Sequence, residues 1–317
     1  MSSAASYSRE PLAPASMSRL VSVPQANVSS TPETGRQLCS ELEAGSILFF
    51  AETPFAFLQN DREFLLGLKQ TNAAYHKNIA YRPLEDRVTG LGKENGPELQ
   101  RLQSILRNYS EHSADFLGNL LPAYRDHWRL DYASFRPLEE RGRPARLRAR
   151  NDLPHVDAFP TRPTNGDRIL RLFTNLNPSQ NRIWITSQTF EAVAPRFARA
   201  LGLPAAPRRN VFSRTLRALA KAARIPGARR SPYDEFMHDC HNAMKEDSEF
   251  QDSCPKQRWE FPPNSTWIVF TDQVSHAVLE GQYAMEQTFI ISRQAMVRPE
   301  GSPLAILERL AGHPLTL

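Results

Sequence analysis

His155 and Asp157 are separated by one residue, and His276 lies far along the chain; together they constrain most strongly how this chain can fold. In a β-strand, residues i and i+2 point to the same side, so His155 and Asp157 can converge on one ion while Val156 turns away. Two imidazoles and one carboxylate can occupy one face of an iron(II) ion and leave the opposite face open to a bidentate ligand and O2. The spacing therefore predicts a fold that brings His276 beside His155 on a neighbouring strand, as in non-haem iron oxygenases.

The segments around these residues have the composition of strands. An apolar run, Trp267 to Phe270, precedes His276 and is short enough to be a buried strand. We predict that 265–270 and 287–292 flank His276 as a hairpin-like pair. Further strands are predicted at 47–50, 130–136, 168–178 and 180–188. Helices are predicted at 61–68, 97–108, 110–125, 190–201, 211–224, 232–248 and 303–310. Helices at both ends with strands between them indicate an α+β fold, a β-core wrapped by helices.

The 317 residues are enough for one large domain or two small ones. Residues 1–37 are rich in Ser, Ala and Pro and are predicted to be a disordered tail. Residues 38–317 would then form a single domain with a helical insertion at about 204–250. The chain shows no apolar run long enough to span a bilayer and no secretory signal, and its three cysteines have no framework spacing. We expect a cytoplasmic protein.

The net charge of +5 is concentrated in one segment. Between Arg208 and Arg230 there are eight basic residues and no acidic ones. Such a run is attracted to phosphate-rich surfaces, whether nucleic acid, anionic lipid or a phosphorylated glycolipid, although it is equally typical of a solvated helix face.

Several longer segments carry a family resemblance. They are residues 75–83, 131–137, 155–163, 261–267 and 271–283. Together they resemble the 3-deoxy-D-manno-octulosonic acid (Kdo) hydroxylases from about residue 40 to the C-terminus. The resemblance implies a double-stranded β-helix (jelly-roll) core and a dioxygenase of Gram-negative bacteria that uses Fe(II), 2-oxoglutarate and O2, with ascorbate as reductant. Such enzymes hydroxylate C3 of a Kdo sugar in the lipopolysaccharide inner core (Kdo2-lipid A), giving Ko, succinate and CO2.

Carried over to this sequence, the family's metal triad falls on His155, Asp157 and His276. Asn264 stands where a glycine is expected in the Pro-Pro-Gly turn; asparagine also tolerates a positive φ. The far carboxylate of 2-oxoglutarate needs a cation or several donors. Gln287 and Arg293 follow His276. Gln287 is predicted to contact the cosubstrate, because a Gln can donate to a carboxylate, but it cannot neutralise one.

The carboxylate anchor is therefore sought on other strands. We expect Arg136 and Arg182 to form it, with Arg171 as a further candidate and Asn175 as a donor to the cosubstrate. Each of these residues has an alternative interpretation as a structural ion pair or as an amide that satisfies backbone groups.

The sugar carboxylate and hydroxyls require basic and polar donors. We predict substrate contacts from His76, Lys77, Arg82 and Arg162, and peripheral contact of the basic helix 211–224 with the cytoplasmic face of the inner membrane. No nucleic acid is expected as a partner, and the sequence makes no prediction of oligomeric state.

Two other features carry less weight. His238, Cys240 and His241, with Cys254 nearby, resemble a zinc cluster, but Cys240 would point away from the two histidines on a helix and no C-x-x-C pair accompanies them. Glu139 and Glu140 are interpreted as solvated carboxylates of a polar loop.

Two rival functions remain open. One is a basic protein that binds nucleic acid or anionic lipid through residues 208–230, which would leave the triad unexplained. The other is a metal-binding jelly roll with a different role, such as a sugar isomerase or a non-catalytic binder. A requirement for 2-oxoglutarate separates the oxygenase from both.

Overall fold

The computed structural model describes residues 17–24, 31–68, 78–91, 96–203 and 230–316. The strands are β1 Leu20–Ser22, β2 Ile47–Phe50, β3 Ile79–Arg82, β4 Arg87–Thr89, β5 Trp128–Arg136, β6 Arg168–Asn175, β7 Arg182–Thr189, β8 Gln257–Phe261, β9 Thr266–Phe270, β10 Val274–Glu280 and β11 Ala284–Ile291. The α-helices are α1 Pro32–Glu43, α2 Gln59–Gly67, α3 Pro97–Leu120, α4 Phe190–Leu201, α5 Pro232–Glu246, α6 Ser248–Ser253 and α7 Pro303–Ala311. Short 3-10 helices occupy Pro83–Glu85, Leu147–Ala149, Arg293–Ala295 and Pro299–Gly301.

The strands form two sheets that share an apolar interior. The larger sheet has eight strands in the order β1-β2-β9-β6-β11-β5-β3-β4, and the smaller has three in the order β10-β7-β8. Phe173 and Trp267 of the larger sheet belong to the same buried cluster as Trp184 and Phe261 of the smaller one. The rings of Phe261 and Trp267 stack with their centroids 3.9 Å apart. The jelly-roll core wrapped by helices is confirmed.

Strand alternation separates this interior from a second apolar layer on the outer face of the larger sheet. On β6, Arg171 and Phe173 face the interior, whereas Leu170 and Leu172 belong to the outer cluster with α1 and α3. The larger sheet is therefore covered by helices on one face and opens onto a partly polar interior on the other. That polar interior is where the candidate site lies.

Several boundaries differ from the prediction. Order begins before residue 38, because β1 pairs in parallel with β2 and the Thr31 side chain caps α1. The two helices predicted at 97–108 and 110–125 are one helix, α3, since buried Tyr109 continues its apolar face. The basic helix predicted at 211–224 lies outside the described residues. The later part of the predicted insertion contains α5 and α6.

The strands that precede and follow β10 do not form a hairpin. Both β9 and β11 pair with β6 in the larger sheet, one on each side, while β10 pairs with β7 in the smaller sheet. The chain therefore crosses between the sheets at both ends of β10. Asn264 has a φ of 66°, as expected for its turn. None of the helices in the described ranges combines the length and hydropathy needed to cross a membrane.

Candidate active site

His155 and His276 lie opposite each other in an isolated antiparallel bridge. The N–H of His155 donates to the His276 carbonyl at 3.1 Å, and the N–H of His276 donates to the His155 carbonyl at 2.9 Å. The N–H of Asp157 donates to the Thr271 carbonyl at 2.8 Å. The His-x-Asp triplet is thus not inside a strand, but the bridge brings the two histidines and Asp157 together as predicted.

In each of these two imidazoles, Nδ1 is hydrogen-bonded to a backbone carbonyl and Nε2 is left for a metal ion. Nδ1 of His155 lies 2.7 Å from the Leu153 carbonyl, and Nδ1 of His276 lies 2.9 Å from the Val274 carbonyl. Because a carbonyl oxygen can only accept, Nδ1 carries the proton and Nε2 offers a lone pair. This is the tautomer that a metal ligand requires.

The ligand atoms are spaced for one ion. Nε2 of His155 is 3.7 Å from Oδ1 of Asp157, and Nε2 of His276 is 4.0 Å from Oδ2 of Asp157. Donors about 2.1 Å from one ion lie about 3 to 4 Å from one another. Each imidazole Nε2 thus lies at a distance from the Asp157 carboxylate that suits shared coordination of a divalent metal ion.

The ionisation states also suit a metal. Burial lowers the pKa of His155 well below its usual value, and burial also lowers the pKa of His276. Burial alone would raise the pKa of Asp157, but the neighbouring guanidinium of Arg171 is the main influence that holds this pKa well below its usual range. The imidazoles are neutral and the carboxylate is ionised, as coordination requires.

We expect metal affinity to survive mild acidification. Two ordinary imidazoles would be largely protonated at pH 6.0, which would weaken binding about tenfold or more relative to pH 7.5. Since the pKa values of His155 and His276 are lowered, the Kd for Co(II) should change less than about threefold over this interval. Titration calorimetry at the two pH values measures it; a tenfold loss at pH 6.0 would contradict the expectation.

A cavity beside the triad is lined by three arginines: Arg136, Arg171 and Arg182. Arg171 Nη1 donates to Asp157 at 2.5 Å, and Arg171 Nε donates to Glu286 at 2.6 Å. Arg136 Nε donates to the other oxygen of Glu286 at 3.1 Å. Burial would raise the pKa of Glu286, but Arg171 and Arg136 hold it at about 2. Two of the three cations are thus matched to a buried carboxylate.

Arg182 is the least neutralised of the three arginines. Its Nη1 donates to the Gly281 carbonyl at 2.9 Å, and its Nη2 is 3.6 Å from Glu140. Burial lowers the pKa of Arg182 to about 10, so the guanidinium stays charged at neutral pH. Nε of Arg182 and Nε1 of Trp184 are buried donors without a partner among the described residues, and both side chains line the cavity. Such donors fit a bound carboxylate.

Two predicted cosubstrate residues, Gln287 and Asn175, do not line this cavity, and neither does Arg293. On β11 the residue that faces the interior is Glu286, and Gln287, the next residue, faces the opposite side of the strand. The Gln287 side-chain amide donates to the Asp131 and Thr288 carbonyls. The amide of Asn175 donates to the Gln180 and Phe261 carbonyls, each at 2.9 Å. Arg293 donates to the Asn165 carbonyl. The structural interpretation is correct for Asn175.

Two predicted substrate residues converge on one ring. The guanidinium carbons of Arg162 and Arg82 lie 4.0 Å and 5.1 Å from the centroid of Tyr132. Arg162 also pairs with buried Asp131 and stacks on Phe159 at 4.2 Å. Phe159 lies two residues from Asp157 and lines a small cavity together with it. The other two predicted contacts, His76 and Lys77, lie outside the described residues.

The structure adds a residue that sequence reasoning discarded. His241 on α5 lies against His155, with ring centroids 4.8 Å apart, whereas His238 faces Asp239. Cys240 and Cys254 are buried and free. The group resembling a zinc cluster is therefore not assembled. The sequence did contain a signal for the position of His241. His241 and Lys245 are four residues apart on α5, so they lie on the same face of the helix, and Lys245 is buried.

Glu140 also differs from expectation. It is buried rather than solvated, and it faces Arg182 at 3.6 Å and Arg143 at 3.5 Å. Glu139 accepts a hydrogen bond from the Gly281 N–H at 2.6 Å. The loop thus contacts both Arg182 and the turn at Gly281.

Comparisons with known proteins agree with this geometry. Residues 25–314 match the protein-family model for 3-deoxy-D-manno-oct-2-ulosonic acid (Kdo) hydroxylase. The fold is similar to that of the Kdo hydroxylase KdoO, a non-heme Fe(II) alpha-ketoglutarate-dependent dioxygenase, solved with alpha-ketoglutarate and Fe(III); the TM-score is 0.80 at 35% identity, covering 94% of this chain and 97% of that chain. The apo and cobalt(II) structures of KdoO each give a TM-score of 0.81 with the same identity and coverage. No curated protein sequence gives a significant match.

Proposed function

The chain belongs to the Kdo hydroxylase family of non-haem Fe(II), 2-oxoglutarate-dependent dioxygenases, and from that premise we propose that it 3-hydroxylates a Kdo sugar of Kdo2-lipid A to Ko. The observation that carries the proposal is the cavity itself. Two neutral imidazoles and one carboxylate meet beside buried arginine and tryptophan donors that lack a partner among the described residues. A metal ion and a dicarboxylate are complementary to that pair of features.

His155, Asp157 and His276 would hold the iron. Bound iron(II) and 2-oxoglutarate together supply the oxidising chemistry: O2 is consumed, the keto acid is converted to succinate and CO2, and one oxygen atom enters the sugar C–H bond. Arg171 keeps Asp157 ionised and oriented through its 2.5 Å contact. Burial of the site excludes bulk water from the reacting groups.

Arg182 and Trp184 would hold the far carboxylate of 2-oxoglutarate. Arg136 adds positive charge on the same wall, although Glu286 already accepts from it. The buried setting strengthens a charge-assisted hydrogen bond because competing water is absent. We assign these residues to cosubstrate binding in place of Asn175 and Gln287.

Arg82, Arg162 and Tyr132 would hold the carboxylate of the sugar. Two guanidiniums that share one aromatic ring form a rigid cationic surface, and Kdo is an anionic sugar. Arg162 is tied to Asp131, so Arg82, whose side chain is 32% exposed, is the more available of the two.

Arg82→Met should raise the KM for the glycolipid about three- to tenfold and leave kcat nearly unchanged, because a contact equal in ground and transition states affects binding alone. Arg87→Met is the matched control: Arg87 also pairs with Glu85 but is not placed over Tyr132. Steady-state rates over a range of glycolipid concentrations measure both. Equal effects of the two substitutions would show that only the Glu85 ion pairs matter.

We further propose that the enzyme works at the cytoplasmic face of the inner membrane, where its acylated substrate would be embedded. The support is the basic segment 208–230 in the sequence, which suits anionic headgroups. Most of this segment lies outside the described residues, so the proposal rests on sequence.

The deciding experiment measures succinate release in air by purified protein with iron(II), ascorbate and 2-oxoglutarate, with and without Kdo2-lipid A. We expect succinate that depends on the glycolipid, a mass gain of one oxygen on the sugar, and neither in His155→Ala. Succinate that is independent of the glycolipid would reject the substrate and keep the enzyme class. No succinate from iron-loaded protein with any acceptor would reject the oxygenase.

A further inference from the structure

We propose that His241 is a fourth ligand of the metal ion when 2-oxoglutarate is absent, and that it leaves the ion when the cosubstrate binds. The inference rests on the proposed metal site at His155, Asp157 and His276. It concerns a side chain from helix α5, which lies outside both sheets, and which the triad alone does not require.

The position of His241 suits a ligand. One ligand atom from each of His155, Asp157 and His241 can be chosen so that all three lie within 4.8 Å of one another. That spacing is a little wider than donors about 2.1 Å from one ion would have, so the His241 side chain would have to move toward His155 and Asp157 to share the ion with them. The rings of His155 and His241 meet edge to face at 84°.

The tautomer of His241 also suits a ligand. Its Nδ1 lies 2.8 Å from the carbonyl of Val156, the residue between His155 and Asp157. The proton is therefore on Nδ1, and Nε2 offers the lone pair. All three histidines of the site share this arrangement, with Nδ1 on a backbone carbonyl. A residue that served only to clamp Val156 would need the Nδ1 proton and nothing from Nε2.

Counting coordination positions requires His241 to leave during turnover. An octahedral metal ion has six coordination positions. The triad would take three, and 2-oxoglutarate bound through two oxygens would take two more, which would leave one for O2. A fourth protein ligand would occupy a position that the reaction needs. His241 would therefore retain the ion in the resting enzyme and compete with the cosubstrate.

The test uses Co(II)-loaded protein and counts coordinated imidazoles by X-ray absorption, with and without 2-oxoglutarate. The discriminating variant is His241→Asn, because the Asn amide can still donate to the Val156 carbonyl from nearly the position of Nδ1 but offers no Nε2. His238→Asn, on the same helix and away from the site, is the matched control.

We expect three imidazoles in the wild type without cosubstrate and two with it, and two in His241→Asn under both conditions. The Kd for Co(II) should rise about tenfold or more in His241→Asn, and the Kd of the Co(II) protein for 2-oxoglutarate should fall by a similar factor. His238→Asn should match the wild type.

Two imidazoles in the wild type without 2-oxoglutarate would overturn the proposal, and this count does not depend on whether any variant folds. An unchanged Co(II) affinity in folded His241→Asn would overturn it as well and leave His241 as a clamp on Val156. If the wild type bound no Co(II), the metal site itself would be wrong; the succinate assay reports on the function separately, so the two failures are distinguishable.

Discussion

Arg182→Met should raise the Kd and KM for 2-oxoglutarate about 10- to 150-fold while the protein still folds and binds metal. Hydrogen bonds to a charged partner contribute about 1.5 to 3 kcal/mol each, and about 1.4 kcal/mol corresponds to tenfold in affinity. Arg182 is the cavity arginine whose charge is least matched: its nearest carboxylate, on Glu140, is 3.6 Å away. Arg182→Lys should be intermediate, because it keeps the charge and loses the donor at Nε.

Arg143→Met is the control for this substitution. Arg143 also contacts Glu140, at 3.5 Å, but does not line the cavity. Its loss should leave 2-oxoglutarate affinity within about twofold of the wild type. Calorimetry on Co(II)-loaded protein without O2 measures the affinity directly. If Arg182→Met and Arg143→Met behaved alike, the carboxylate would have to be held elsewhere, with Arg136 as the next candidate.

Arg171→Met should destabilise the metal-free protein by about 3 to 5 kcal/mol. Arg171 contacts two buried carboxylates, Asp157 at 2.5 Å and Glu286 at 2.6 Å. Removing one partner of a buried ion pair leaves a charge in a medium that solvates it poorly. Such a loss is a large part of the roughly 5 to 15 kcal/mol of a typical domain. Urea denaturation followed by circular dichroism measures it.

The pH dependence of this loss has a definite sign. The pKa of Glu286 is held at about 2, below its ordinary 4.5, so this carboxylate contributes stability above about pH 4.5, and the contribution is lost as the pH falls toward 2. The gap between wild type and Arg171→Met should therefore be widest at neutral pH and narrow below pH 4.5. Arg136→Met should cost less, since Glu286 would keep Arg171. A difference in the free energy of unfolding below about 1 kcal/mol between wild type and Arg171→Met at pH 7 would contradict the proposed role of Arg171.

His155 and Asp157 could be predicted as candidate metal ligands because they lie two residues apart in the chain. An i, i+2 spacing in extended backbone predicts that His155 and Asp157 converge, although in the structure His155 forms only an isolated bridge and the triplet is not part of a strand. The apolar run before His276 predicts the second histidine on a strand. The turn at Asn264 could be predicted for the same reason, since it depends on the φ of one residue. The family motifs extended this reasoning to the fold and the cosubstrate.

The carboxylate anchor was only partly predictable because it depends on which face of a strand each residue occupies. On β11 a shift of one residue separates Glu286, which faces the interior, from Gln287, which faces the opposite side. The pairing of β11 with β5 shifts register just after Gln287. Because of this irregularity, the alternation of apolar and polar residues does not define which residues of β11 face the interior. Arg136 and Arg182 were predicted on the cavity wall, but the role of Arg171 as a bridge from Asp157 to Glu286 was not.

The sequence by itself determined the candidate metal ligands and most of the strands and helices, because these follow from spacing and periodicity within short segments, whereas the jelly-roll class followed from the family resemblance. Only the tertiary structure decided which charges meet. Arg171 between two carboxylates, Arg82 and Arg162 on Tyr132, and His241 beside His155 all join elements far apart in the chain. Their proximity results from the pairing order of the strands and from the seating of α5 over the His-x-Asp segment, and neither is encoded in any local pattern.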